Sequence, residues 1–142
     1  MTFQFVLPTV IHMGRSEKEI QLDVLLEIIL VPVTNGVRIN PKLLRDILDV
    51  TEGYLINALN SKGNYDHSTL KAMTKHVSKS ALELKKSLNK SELLKKTHRE
   101  HAEPLKIVIE GLYSSNFINK VDLKKFLNKN LISVLITKAK VD

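Results

Sequence analysis

The sequence contains no cysteine among its 142 residues. This absence excludes disulfide bonds, thiolate zinc sites, iron–sulfur clusters and cysteine nucleophiles. Long hydrophobic runs are also missing, because the stretch VLLEIILVPV is interrupted by Glu27 and is too short to span a bilayer. The amino-terminal residues MTFQFVLPTVIHMGR place no basic residue before their apolar part, so we expect no signal peptide. We therefore expect a cytoplasmic protein without a membrane partner.

The common local motifs of catalysis and nucleotide binding are absent as well. The sequence has no GxSxG nucleophile motif, no GxxxxGK phosphate loop and no GxGxxG dinucleotide loop. The HExxH motif of zinc proteases is also missing. We therefore expect no cofactor, and an enzyme is not our first expectation.

The chain has the size and composition of a single domain covering residues 1–142. Apolar residues make up 43% of it, which is enough for one hydrophobic core. Apolar spacing and capping residues predict a mainly α-helical fold, a compact multi-helix domain with roughly six or seven helices. Short amino- and carboxy-terminal β-strands are expected to pair with each other. The predicted strands are TFQFVL and LISVLITKAKV, and the predicted helices are residues 17–30, 41–48, 52–60, 67–90, 91–102, a segment from Pro104 and a segment from Asp122.

Local signals predict several element boundaries. Ser16 and Glu19 have the spacing of a capping box at the start of the first helix. Asn35-Gly36 predicts a tight turn or hairpin, and Asn40-Pro41 predicts the start of the second helix. The buried stripe of the first helix is predicted at Ile20, Val24, Leu25, Ile28 and Ile29.

The net charge of +7 lies entirely in the second half of the sequence. Residues 1–71 hold 7 Lys and Arg against 8 Asp and Glu, a net charge of −1. Residues 72–142 hold 15 against 7, a net charge of +8. A one-sided basic balance favours a polyanionic partner, and an ordinary solvated surface is the competing interpretation.

The predicted helix 67–90 has an apolar face and a lysine face on opposite sides. Lysines at helical spacing can follow a phosphate backbone as point charges. The lysine face has no arginine and no aromatic residue, so we expect weak sequence specificity, and a membrane-surface helix is disfavoured. The predicted phosphate-binding residues are Lys71, Lys75, Lys79, Lys86 and Lys90.

The segment PKLLRDILDVTEGYLINALNSKG, residues 41–63, predicts a helix, a tight turn and a second helix, and it resembles a helix-turn-helix unit. The resemblance implies that Glu52 faces a DNA major groove and that Thr51, Tyr54 and Asn57 read bases there. The small residue usual in the first helix and the glycine usual in the turn are both absent. Acidic residues also outnumber basic ones locally, so two ordinary packed helices are the alternative interpretation.

His98 and His101 share one face of the helix predicted over residues 91–102. Such a pair could bind a metal ion, or act in acid–base chemistry with Glu100 or Glu103. Glu100 points away from the histidine face, however, and the sequence offers no third ligand nearby. We therefore expect the two histidines to finish and pack a helix.

The five residues EHAEP, 100–104, resemble the acidic-His-x-x-Pro core of HNH nucleases. That core needs the histidine at the end of a β-strand and a metal-binding residue on the following helix. The helix predicted before His101 argues against this resemblance.

We therefore expect a small nucleic-acid-binding protein, a regulator with a helix-turn-helix-like unit that binds DNA or RNA through its basic second half. One alternative is a protein-interaction module, an inhibitor or assembly subunit that docks on an acidic protein or a nucleoprotein complex. A second alternative is a hydrolase or nuclease that uses His98 and His101 with Glu100 or Glu103.

Overall fold

The computed structural model describes residues 15–138, and within them the chain forms seven helices and three short strands. This confirms the predicted mainly α-helical, multi-helix class. The predicted amino-terminal strand TFQFVL lies outside the described residues. In chain order the elements are α1 (Glu17–Thr34), α2 (Pro41–Leu55), α3 (His67–Ala72), β1 (His76–Val77), α4 (Lys79–Ser87), α5 (Lys90–Lys96), β2 (Thr97–His101), α6 (Leu105–Ser114), α7 (Lys120–Asn130) and β3 (Ser133–Thr137).

The main hydrophobic core lies among the four longest helices, α1, α2, α6 and α7. Leucines dominate it because they fill the space between crossing helices and lose little side-chain freedom in a helix. Its buried members are Leu26, Ile29, Val33, Leu44, Leu48, Leu112, Leu123, Leu127 and Leu131.

Helix α1 begins as predicted and ends later than predicted. The Ser16 hydroxyl accepts a hydrogen bond from the Glu19 N–H at 3.2 Å, and the Glu19 carboxylate accepts one from the Ser16 N–H at 3.3 Å. The helix continues through Pro32 to Thr34, whose hydroxyl donates to the Leu30 carbonyl at 2.8 Å. Asn35 and Gly36 form a turn at its end, and the φ of +69° at Gly36 explains the glycine there.

The stripe predicted for α1 is only partly correct. The side chains that enter the core are Leu26, Ile29 and Val33. Val24 and Ile28, which were predicted to be buried, are 49% and 46% exposed. Apolar residues occur on both sides of this helix, so spacing alone did not identify the side that packs.

Helix α2 begins as predicted, with the Asn40 side chain accepting hydrogen bonds from the N–H groups of Lys42 and Leu43. It then runs without interruption to Leu55, so the turn of the helix-turn-helix interpretation is wrong. The predicted helix 52–60 is wrong too, since α2 ends at Leu55. Thr51 does not cap a new helix, because its hydroxyl bonds back to the Ile47 carbonyl at 2.6 Å within α2.

The predicted long helix 67–90 is interrupted in the structure. Helix α3 ends at Ala72, and α4 begins only after Ser78, whose side chain caps it by accepting from the Ala81 N–H. Between them β1 pairs in parallel with β3, His76 opposite Val134 and Val77 opposite Leu135. Pairing with a distant strand has therefore overridden the helical spacing of this segment.

The predicted helix 91–102 is half correct. Helix α5 covers Lys90–Lys96, and the chain then becomes β2, which pairs antiparallel with β3. Thr97 marks the change, because its hydroxyl bonds back to the Leu93 carbonyl at 2.6 Å. The sheet order is β1-β3-β2. The predicted carboxy-terminal strand is thus confirmed as β3, and within the described residues it pairs with β1 and β2.

The described residues divide into two parts. The basic lobe comprises residues 67–101 and 131–138, which form α3, β1, α4, α5 and the three-stranded sheet. The helical part comprises the other described residues, 15–66 and 102–130, with α1, α2, α6 and α7. Between residues 15 and 138, no helix combines the length and the apolar character needed to cross a membrane.

Candidate functional site

The basic charge of the chain is segregated in space. The basic lobe contains ten Lys and Arg residues and three Asp and Glu residues, a net charge of +7. The helical part contains eleven of each kind, a net charge of zero. The uneven charge along the sequence is therefore also an uneven charge between two parts of the structure.

The predicted lysines lie on the basic lobe, although they do not form one helix face. Lys75, Lys79, Lys86 and Lys90 are exposed and are spread from the end of α3 to the start of α5. Lys86 lies 3.7 Å from the Glu83 carboxylate on the same helix. Lys71 is half-buried and donates to the Leu94 carbonyl at 2.6 Å, so it also holds α3 against α5.

Three lysines, Lys71, Lys96 and Lys138, lie near the edge of the sheet where β2 begins and β3 ends. Their spacing along the sequence does not reveal this group. The Lys138 N–H donates to the Lys96 carbonyl at 3.0 Å, which places these two residues side by side. The pKa of Lys71 is lowered by burial and by the charge of Lys138. Within residues 15–138, no carboxylate lies within 4.0 Å of these three ammonium groups. Strand pairing therefore builds an unneutralised cluster of positive charge.

The candidate base readers occupy three different environments. Thr51 is completely buried, so the prediction that it faces a groove is wrong. Tyr54 is half-buried and Asn57 is exposed, and both line a polar cleft of about 630 Å³ against the start of α1. Asn57 accepts a hydrogen bond from Lys18 at 3.1 Å. No helix presents these residues together as a helix-turn-helix unit does, and their role in base reading stays a prediction.

The two candidate metal-binding histidines point to opposite faces of the sheet. They lie three residues apart on a strand, where side chains alternate, so the shared face predicted for them is wrong. His98 lies on the outer face, 3.2 Å from the Glu100 carboxylate. His101 lies on the inner face with Arg99 and is 19% exposed. His101 does end a strand, as the HNH resemblance requires, but helix α6 carries neither histidine nor asparagine to complete such a site.

A buried ionic network joins α2 to the sheet around Arg99. The Arg99 side chain is 6% exposed and donates through Nη2 to Asp49 Oδ1 at 2.7 Å. Through Nη1 it donates to Glu52 Oε1 at 2.9 Å and to the Ser133 hydroxyl at 2.6 Å. Ser133 in turn donates to Glu52 Oε1 at 3.0 Å. The prediction that Glu52 faces a DNA major groove is therefore wrong, because this side chain is 3% exposed and faces the sheet.

Burial sets the protonation behaviour of this network. Burial raises the pKa of Glu52, while Arg99 and the Ser133 hydrogen bond act in the opposite direction. Burial also lowers the pKa of His101, and the neighbouring Arg99 charge lowers it further. His101 is therefore neutral at neutral pH. Its Nε2 lies 3.4 Å from Arg99 Nη1 and 3.7 Å from Glu52 Oε1.

Asp49, Glu52 and His101 each offer one ligand atom, and these atoms lie within 4.8 Å of one another. Such a group could hold a divalent cation. The Arg99 guanidinium, however, already bonds both carboxylates and supplies the positive charge that a metal ion would bring. The network therefore has the chemistry of a structural joint between the basic lobe and the helical part.

A cavity of about 200 Å³ opens beside this joint, between α2, the start of β1 and the connection from α7 to β3. Its floor is polar and buried, with Glu52, Thr74 and Ser133 only 2–3% exposed. Its rim is polar and exposed, with Lys75, His76 and Asn128. Sequence reasoning missed this arrangement, because its residues come from three separate segments of the chain.

Comparison with known proteins gives no further indication of function: no protein-family model, no curated protein and no solved structure matches this chain.

Proposed function

We propose that this protein binds nucleic acid through the basic lobe. The observation that carries the proposal is the segregation of charge, a net +7 on the basic lobe against zero on the helical part. A nucleic acid is a linear array of phosphates, and lysines bound to it release condensed counterions, which drives association. A positive charge that serves only solubility can be spread over the whole surface. A basic lobe beside a neutral helical part instead favours a polyanionic ligand bound on the side of the basic lobe.

The contacts that this surface can make are mainly with phosphates. The exposed lysines Lys75, Lys79 and Lys90 have no carboxylate within 4.0 Å among residues 15–138, so their charges are available to a ligand. Lysine acts as a point charge and carries little sequence information. We therefore propose binding with weak sequence preference, to DNA or RNA, and a cytoplasmic location is part of the same proposal.

The Arg99 network has a supporting role in this function. It ties β2 and β3 of the basic lobe to α2 of the helical part. The Arg99 side chain is 6% exposed, and Glu52 Oε1 already accepts from Arg99 and Ser133, so these groups serve the ion pair and not a large ligand. Their contribution is to hold the lysine-bearing lobe in a fixed position.

The test compares two charge-reversal variants by fluorescence anisotropy with duplex DNA, single-stranded DNA and RNA. The first variant is K75E/K79E/K90E on the basic lobe. The matched control is K42E/K62E/K106E, three exposed lysines of the helical part that change the net charge equally. Both variants are expected to keep the melting temperature of the wild type within a few degrees, because exposed charges move stability by less than about 0.5 kcal/mol.

The proposal predicts that the first variant loses most of its nucleic-acid affinity and that the control keeps it. Equal losses in both variants would mean that only the total charge matters, and the proposal would then be wrong. A protein that binds no nucleic acid but binds polyglutamate through the same three lysines would support the alternative, an interaction module for an acidic protein.

A further inference from the structure

The cavity beside Glu52 has an accessible acceptor at its floor. Arg99, Ser133 and His101 all contact the same oxygen, Oε1. Within residues 15–138 no protein donor bonds the other carboxylate oxygen, Oε2. Among the side-chain nitrogen and oxygen atoms of these residues, Arg99 Nε alone is both fully buried and without a hydrogen-bond partner. Oε2, which also has no partner, therefore keeps some solvent access. Because Glu52 lines the cavity, Oε2 can accept a hydrogen bond from a ligand in it.

The ligand's inner end must therefore be a hydrogen-bond donor. Arg99 already pairs with Glu52, and burying a second cation beside the pair would add a further desolvation cost, so a neutral N–H group suits the floor better than a cation does. The walls are apolar and are formed by Leu55, Ile56, Leu131 and Ile132. Apolar walls around one acceptor suit a small ring with an amino substituent.

The rim favours an anion at the ligand's outer end. Lys75 and His76 are both exposed at the mouth, and Lys75 is one of the lysines proposed to contact phosphate. The volume, about 200 Å³, is smaller than the roughly 300–1,000 Å³ of sites for larger organic ligands. One nucleotide base fits these limits, with its amino group inside and its phosphate outside.

We propose that this cavity binds the base of a single nucleotide, with an exocyclic amino group on Glu52 and the phosphate on Lys75. The inference rests on the proposed function, since it assigns one base of the bound nucleic acid to a specific place. Cytosine, adenine and guanine carry an exocyclic amino group, whereas the N3–H of uracil lies between two carbonyl oxygens that the Glu52 carboxylate repels. The site therefore selects against uracil.

The test measures binding of CMP, AMP, GMP and UMP to the full chain by titration calorimetry. Wild type is expected to bind CMP, AMP and GMP at least about tenfold more tightly than UMP, the discrimination expected of a good base contact. Asn128→Trp places a large ring at the mouth and is expected to weaken CMP binding at least about tenfold. The matched control is Asn116→Trp, an exposed asparagine outside the cavity, which should bind CMP as wild type does.

Lys75→Ala provides a second test that leaves the cavity open. It should weaken CMP more than cytidine, because only the nucleotide carries the phosphate. Equal affinity for all four nucleotides, no effect of Asn128→Trp, or no binding of any mononucleotide would each overturn the inference. Melting temperatures of the variants identify any loss of fold.

Oligonucleotide binding separates this inference from the proposed function. If oligonucleotides bind wild type and Asn128→Trp equally while mononucleotides do not bind, the cavity inference fails and the proposed function stands. If mononucleotides bind the cavity but oligonucleotides do not bind the basic lobe, the cavity is a site for free nucleotides and the proposed function fails. A single strand that competes with CMP, where a blunt duplex does not, would show that the base comes from a nucleic-acid strand.

Discussion

Replacing Arg99 by methionine tests the ionic joint between the two parts of the protein. Methionine keeps most of the side-chain length and removes the guanidinium that bonds Asp49, Glu52 and Ser133. Asp49 is 27% exposed and can regain water. Glu52 is 3% exposed and can regain little water, so its unpaired charge dominates the cost. Removing one partner of a buried ion pair costs about 3–5 kcal/mol, and we expect Arg99→Met to lower the free energy of unfolding by that amount.

A double-mutant cycle identifies the cause of this loss. Glu52→Gln in the Arg99→Met background removes the unpaired charge, and the pair should show a coupling of about 1–3 kcal/mol in urea unfolding. The pH dependence of the free energy of unfolding provides a second test. The folded pKa of Glu52 lies above its unfolded value, so stability is present below the unfolded pKa and is lost as pH rises through the folded pKa. The Arg99→Met penalty should therefore be smaller near about pH 5 than near about pH 8.

A cost of less than about 1 kcal/mol for Arg99→Met, or simple additivity of the two substitutions, would contradict the structural role of this ion pair. Either result would mean that water can replace the guanidinium at Glu52 and that the network does not hold the basic lobe. Arg99→Lys is a useful control. Lysine keeps the positive charge but lacks the planar guanidinium that donates to both carboxylates at once.

Three further substitutions test other parts of the structure. Gly53→Ala should destabilise the protein by about 1–3 kcal/mol despite the better helix propensity of alanine, because the new Cβ would lie 2.9 Å from Tyr65 Cδ1; Tyr65→Ser should remove that penalty, and a stabilised Gly53→Ala would contradict the packing. His101→Gln should flatten the loss of stability below about pH 6.5, since a base with a lowered folded pKa destabilises the fold as it becomes protonated; an unchanged pH profile would show that another group is responsible. Leu127→Ala, at a fully buried position, should cost about 2–5 kcal/mol of stability, and Leu84→Ala, at a half-buried position, should cost clearly less. Thermal unfolding compares the two variants, and equal losses would contradict the position of the core.

Short-range signals in the sequence predicted the starts of helices well. The Ser16 capping box and the Asn40 cap before Pro41 both appear in the structure with their hydrogen bonds. These signals work because the capping side chain and the N–H groups it binds lie within three residues of each other.

Long-range pairing is where the local signals failed. His76–Val77 and Thr97–His101 both leave a predicted helix to pair with β3, which lies more than thirty residues further along the chain. Helical apolar spacing cannot report such pairing. The alternation of Thr97, Arg99 and His101 on the inner face was a strand signal in the sequence, but it spans too few residues to outweigh the helix pattern.

The candidate sites could be predicted only in part. Charge counting located the basic lobe, because the lobe is mostly one continuous segment, residues 67–101. The cavity and the Arg99 network combine residues from separate segments, such as Glu52 on α2 and Ser133 on β3. Their proximity follows from the fold and has no signature in the spacing of residues along the chain.

The most direct test of nucleic-acid binding by the basic lobe is the salt dependence of affinity. Wild type should show a steep linear fall of log affinity with log salt concentration for duplex DNA, and each lost phosphate contact should reduce the slope by about 0.9. K75E/K79E/K90E should therefore reduce the slope by about 2–3, while K42E/K62E/K106E should change it by less than about 1. A wild-type slope near zero, or the same reduction in both variants, would contradict the proposal that the basic lobe binds the nucleic acid.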